Sequence, residues 1–146
     1  MTAGRVKLAV VFWLLMCVTA FAAMDYNFVE PDQLTSWLDS REPLLLVDIQ
    51  KPNDFKKHHF FGAVETDAYP VKTGGERRRL KKAVDMFEES GGTVVIIGPR
   101  GTRAEKRAFE YLRNHGVPAD KIYILKGGIK KWPDKEMLLD TAGGCA

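Results

Sequence analysis

Thr93-Val94-Val95-Ile96-Ile97 is β-branched throughout and carries no charge. A strand that met water on one face would alternate apolar with polar residues. This run does not alternate, so both of its faces must be covered. Leu44-Leu45-Leu46-Val47, which ends in Asp48, and Ile122-Tyr123-Ile124-Leu125 read the same way. Amphipathic segments lie between these runs. Leu34, Trp37 and Leu38 fall at helical spacing behind Pro31, and Leu80, Ala83, Val84 and Phe87 share one face of a helix from Glu76 to Glu89. A further helix, from about Thr102 to His115, directs Ala104, Ala108, Tyr111 and Leu112 inward, and Gly116 stops it. Short helices are expected over Asp54 to His59 and Ile129 to Trp132, and Gly62-Ala63-Val64 leads into a weaker strand. Doubly covered strands alternating with such helices specify an α/β domain on a parallel sheet.

The first residues read differently. Arg5 and Lys7 precede an uncharged apolar run from Leu8 to Val18, and Ala20-Phe21-Ala22 follows as a small-residue cleavage pattern. Basic, apolar and small, in that order, is an export signal. The expected division is a signal peptide over residues 1–22, a domain over 25–135 and a flexible tail over 136–146. The protein is then exported, periplasmic or secreted. The alternative is a membrane anchor made by residues 8–24, which would be the chain's sole contact with a membrane. Cleavage after Ala22 removes Arg5, Lys7 and Cys17, so the formal charge falls from +3 to +1. That charge offers no concentrated basic stripe for nucleic acid. Cys145 is then the one cysteine left, which excludes an internal disulfide and any thiolate-based zinc set.

In parallel sheets, ligands bind beyond the carboxyl ends of the strands. The segment Gly98-Pro99-Arg100-Gly101-Thr102-Arg103 leaves the best strand there and opens a helix. Gly98 and Gly101 let the backbone curl with its N–H groups inward, and Arg100 and Arg103 add charge. This is either a cradle for a small anion, formed by Gly98, Arg100, Gly101, Thr102 and Arg103, or a glycine-rich corner with solvated arginines.

Three motifs in order make the resemblance specific. They are Leu45-Leu46-Val47-Asp48 with His59-Phe60-Phe61-Gly62-Ala63, then Thr93–Ile97 with the loop that follows it, and then Tyr123-Ile124-Leu125-Lys126-Gly127-Gly128 through Trp132. From about Phe28 to Trp132 the chain resembles a single rhodanese-like domain. The resemblance implies a five-stranded parallel sheet with helices on both faces. It also implies a loop of the form Cys-x-x-Gly-x-Arg, in which a cysteine thiolate takes up sulfane sulfur. Gly101 and Arg103 match that loop, but Gly98 stands where the cysteine would be. The first motif departs as well: Asp48-Ile49-Gln50 replaces Asp-x-Arg, and His58-His59 replaces Gly-His. Sulfur transfer needs a soft, deprotonated nucleophile, and glycine supplies none.

The expected function is therefore an exported rhodanese-like module without sulfurtransferase activity, acting by binding a protein partner or a small anion. The alternative is sulfur transfer or sulfur carriage through Cys145. A thiol on a loose tail, away from any base, is mostly protonated at neutral pH and reacts slowly. No catalytic residue and no cofactor is expected. Metal binding is not expected either, because His58 and His59 are adjacent, point apart and have no carboxylate–histidine pattern around them. Asp48 and His59 are read as supporting residues, Asp48 accepting backbone N–H bonds at its strand end and His59 ordering the turn before Gly62. Arg77-Arg78-Arg79-Leu80-Lys81-Lys82 is a solvated face or a docking patch for an acidic partner or a membrane surface. Trp37 and Trp132 are expected in the core.

Overall fold

The apolar runs at Leu44–Val47, Thr93–Ile97 and Ile122–Leu125 become strands with both faces covered. The computed structural model describes residues 25–135 and 138–139. The elements are β1 (Phe28–Val29), α1 (Pro31–Asp39), β2 (Leu44–Asp48), α2 (Pro52–Lys57), β3 (His59–Phe60) and β4 (Val64–Glu65), followed by α3 (Gly74–Arg79), α4 (Lys81–Ser90), β5 (Thr93–Ile97), α5 (Arg103–Asn114), a 3₁₀ turn at Ala119–Lys121, β6 (Ile122–Leu125), α6 (Gly128–Lys131) and β7 (Leu138–Leu139). Five strands form one parallel sheet in the order β1-β6-β5-β2-β4. β5 lies at its centre, with Leu44–Asp48 in register against Thr93–Ile97 and Ile122–Ile124 against Val94–Ile96.

The side-chain period of two divides the core cleanly. Leu45, Val47, Val94 and Ile96 face one side and pack with Ala83 and Val84 of α4 and Ala108, Phe109 and Leu112 of α5. Leu46, Val95 and Ile97 face the other side and pack with Leu34, Phe60, Ile129 and Trp132. Trp132 is buried and meets Phe60 edge-on at 4.7 Å, whereas Trp37 is half-buried against Tyr123.

Several elements differ from expectation. The helix expected over Glu76 to Glu89 is two helices that meet at Leu80. Leu80 is fully buried while Arg77, Arg78 and Arg79 stay largely exposed, and the Leu80 N–H donates to the Arg77 carbonyl at 3.0 Å, a three-residue step where the two helices meet. α3 is held as a separate turn by a capping box. Thr73 Oγ1 accepts from the Glu76 N–H at 3.2 Å, and Glu76 Oε2 accepts from the Thr73 and Lys72 N–H groups at 3.1 and 2.7 Å. These amides hold the Glu76 carboxyl below its ordinary range. Thr73→Ala should lower stability by about 1 kcal/mol. In urea unfolding the midpoint would move at constant slope, and an unmoved midpoint would show that the box does not hold α3.

α2 begins at Pro52 and ends at Lys57, because His59 belongs to β3. β3 pairs antiparallel with β7, so Leu138–Leu139, expected in the tail, continue the pairing. Tyr111 is half-buried, and Phe109 fills the inward position instead. Among the described residues no helix is long and apolar enough to cross a membrane. The segment expected to direct export, Cys17 and Cys145 lie outside the described residues.

Candidate functional site

The carboxyl ends of β2, β5 and β6 converge, and the loop after β5 is clamped there by α6. The carbonyls of Gly98 and Pro99 accept from the Ile129 and Lys130 N–H groups at 2.9 and 3.1 Å. A Cβ on Gly128 (φ +59°) would stand 2.3 Å from the Gly98 carbonyl oxygen and 2.5 Å from the Arg100 nitrogen. A Cβ on Gly101 (φ +66°) would stand 2.4 Å from the Leu125 oxygen. Both glycines are fixed by this contact, which joins the second and third sequence motifs into one surface.

The clamped loop curls as expected, and its N–H groups converge on an anion. That anion is the chain's own. Glu105, on the first turn of α5, sends its carboxylate back under the loop. Oε1 accepts from the Arg100 and Gly101 N–H groups at 3.3 and 3.0 Å, and Oε2 accepts from the Thr102 N–H at 2.6 Å. Glu105 is only 1% exposed. A buried carboxylate needs such donors, and the unpaired amides of a helix N-terminus supply them. A Cβ built on Gly98 would lie 2.1 Å from Glu105 Oε1 and 2.7 Å from its Cδ. The carboxylate therefore fills the volume that any side chain at position 98 would need.

The structure separates the two loop arginines. Arg100 lines a cleft of about 260 Å³ together with Lys57, His58 and Lys130, with Gln50 and Asp54 in the same wall. Arg103 lines a different concavity with Tyr69, Pro70 and Lys72, so it does not join Arg100 at the cradle.

Asp48 is fully buried at the end of β2. Its Oδ1 accepts from the Gln50 N–H at 2.8 Å and its Oδ2 from Gln50 Nε2 at 3.1 Å. Its own carbonyl accepts from both the N–H and the hydroxyl of Thr66. Gln50 Nε2 also donates to the His58 carbonyl at 3.0 Å, which ties Asp48 to the cleft wall. Burial pushes the Asp48 carboxyl up to about 7, although the Gln50 donors pull the other way. His59 is buried in β3. Its Nδ1 lies 2.7 Å from the Phe55 carbonyl and its ring stacks on Phe55 at 4.0 Å, so it fastens α2 to β3 rather than ordering the turn before Gly62. Among the described residues no three side chains gather as metal ligands.

Sequence reasoning missed Glu105, Lys57 and Lys130. Glu105 did leave a trace, since Thr102-Arg103-Ala104-Glu105 has the Thr-x-x-Glu spacing of a capping box.

Comparison with known proteins agrees with this architecture. The model of the rhodanese-like domain matches residues 30–135. The uncharacterized protein YqhL of Bacillus subtilis (strain 168) is 32% identical over 90 residues, or 62% of this chain, and the chain spans 61% of that protein's length. Saccharomyces cerevisiae Ygr203w, a homolog of single-domain rhodanese and the Cdc25 phosphatase catalytic domain, has a TM-score of 0.60 at 19% identity, over 77% of this chain and 86% of that one. A rhodanese-like domain protein from Staphylococcus aureus has a TM-score of 0.60 at 18% identity, over 77% and 96% of the two chains. At such identities the structural likeness concerns fold alone. With its sequence matched over residues 30–135 and its five parallel strands in place, the chain belongs to the rhodanese-like family.

Proposed function

We propose that this protein is a rhodanese-like binding module that does not transfer sulfur and that receives a small anion in the cleft between α2 and the loop after β5. One observation carries the reading. The Glu105 carboxylate occupies both the loop amides and the space beside Gly98. A sulfane-sulfur anion would need a thiolate at that place and free N–H groups around it. The chain offers glycine and amides that are already engaged.

The cleft beside the loop keeps its positive charge. Lys57, Arg100 and Lys130 line it against the single carboxylate of Asp54, with His58 beside them. Its volume suits an ion the size of sulfate, thiosulfate or phosphate. Because the amides are taken, side-chain cations would hold the ligand, and binding should weaken steeply with added salt.

Isothermal titration of the full chain with thiosulfate, sulfate and phosphate tests this. We expect saturable heat that weakens by about tenfold or more in Arg100→Gln combined with Lys130→Gln, and no gain of a sulfur atom by mass spectrometry after thiosulfate. Equal binding by the variant, absence of heat, or a sulfur adduct would overturn the reading.

A further inference from the structure

Arg103 is the loop residue that the family pattern would aim at the cradle, yet its side chain lies elsewhere. It stands on α5 with Arg107, Tyr111 and His115 following at intervals of four residues, so these side chains form one stripe along the helix. Two depressions of about 310 and 320 Å³ lie along this stripe and share Arg107. Lys72 walls the first and Arg77 the second. The two depressions meet at Arg107 and together make a trough along α5, bordered by the segment leading into α3 and by Arg77 of α3 itself.

The trough is preorganised and positively charged. Arg107 Nη1 donates to the Pro70 carbonyl at 3.2 Å, which fixes its guanidinium where the two depressions meet. His115 stacks on Tyr111 at 3.9 Å, with its Nδ1 at 2.7 Å from the Tyr111 carbonyl. Glu110 is the one carboxylate in the lining, and it already accepts from the Tyr26 hydroxyl. Elsewhere in the same basic run, Arg79 pairs with Asp67 and Lys81 with Asp85.

We propose that this trough is a docking groove for an extended acidic peptide segment of a partner protein. The spacing favours an extended chain. Residues four apart on a helix rise about 6 Å, and alternate residues of an extended peptide advance about 6.6 Å, so acids at every second position meet Arg103 and Arg107 in turn. From Arg103 to His115 the stripe is about 18 Å long, enough for about five peptide residues. Cations strung along that length do not converge on one small ion. A membrane surface fits less well, because among the described residues neither of the exposed large hydrophobic side chains, Phe28 and Phe61, lines the trough, and an interfacial face needs apolar side chains to bury.

The test is fluorescence anisotropy of the full chain with a labelled peptide containing Glu-Ala-Glu-Ala-Glu. The comparison protein carries Arg77→Gln and Arg103→Gln, two exposed positions, with its fold checked by circular dichroism. We expect saturable binding that salt weakens, and a loss of about tenfold or more in the variant. A peptide with the same residues but its three acids contiguous should bind less well. The proposal is overturned if the folded variant binds as the wild type does, if no saturable binding occurs, or if phosphatidylglycerol vesicles bind the chain while the peptide neither binds nor competes.

Discussion

Gly98→Cys on its own is expected to yield a less stable protein, not an enzyme. The new Cβ would lie 2.1 Å from Glu105 Oε1, so the carboxylate must leave the Arg100, Gly101 and Thr102 amides. Each charge-assisted bond of this kind contributes about 1.5–3 kcal/mol, part of which solvent restores, so a net loss of about 3 kcal/mol follows. Glu105→Ala alone should lose a similar amount, because it leaves the same amides without an acceptor. In the double variant the conflict disappears. Its destabilisation should fall short of the sum of the single changes by about 1–3 kcal/mol. Urea unfolding of the four proteins measures this, and strict additivity would show that position 98 and Glu105 do not compete for one space. The introduced thiol should also react differently in the two backgrounds. With the amides released, its thiolate is stabilised, so alkylation by iodoacetamide near neutral pH should be faster in the double variant than in the single one.

The second large effect is a loss of stability as pH rises, carried by Asp48. Its carboxyl titrates at 3.8 in the unfolded chain and is pushed up to about 7 by burial in the folded one. Between these values the folded state binds the proton and the unfolded state does not. Stability from this group is therefore fully present below about pH 4, declines as pH rises toward 7 and is flat above. At about 1.4 kcal/mol for each pKa unit the decline reaches at most about 4 kcal/mol. Asp48→Asn keeps an acceptor for the Gln50 N–H and cannot ionise. Unfolding free energies of both proteins between pH 4 and 8 are the check. The wild type should lose stability relative to the variant across that range, and parallel curves would contradict it.

The central sheet was legible because β2, β5 and β6 are apolar on both faces, a demand that local sequence states outright. β1 was not, since Phe28–Val29 owes its pairing to the edge of β6 and carries no pattern of its own. The break at Leu80 was hidden for a related reason. The apolar spacing of Leu80, Ala83, Val84 and Phe87 continues through it and gives no sign of the break. At the site, the missing side chain at Gly98 could be read directly. What replaces it could not, because the approach of Glu105 to Gly98 depends on α6 pressing the loop onto α5. Arg103 was misplaced because motif spacing fixes its position in the chain, whereas the phase of α5 decides which way it points. Its stripe partners Arg107, Tyr111 and His115 share that phase.

The most direct test of the account is the steady-state formation of thiocyanate from thiosulfate and cyanide by the full chain, with Cys145→Ser alongside. Both proteins should show only the background rate, because Gly98 offers no thiolate and Glu105 fills the cradle. Turnover clearly above background in the wild type would contradict it, and its loss in Cys145→Ser would assign the chemistry to the tail.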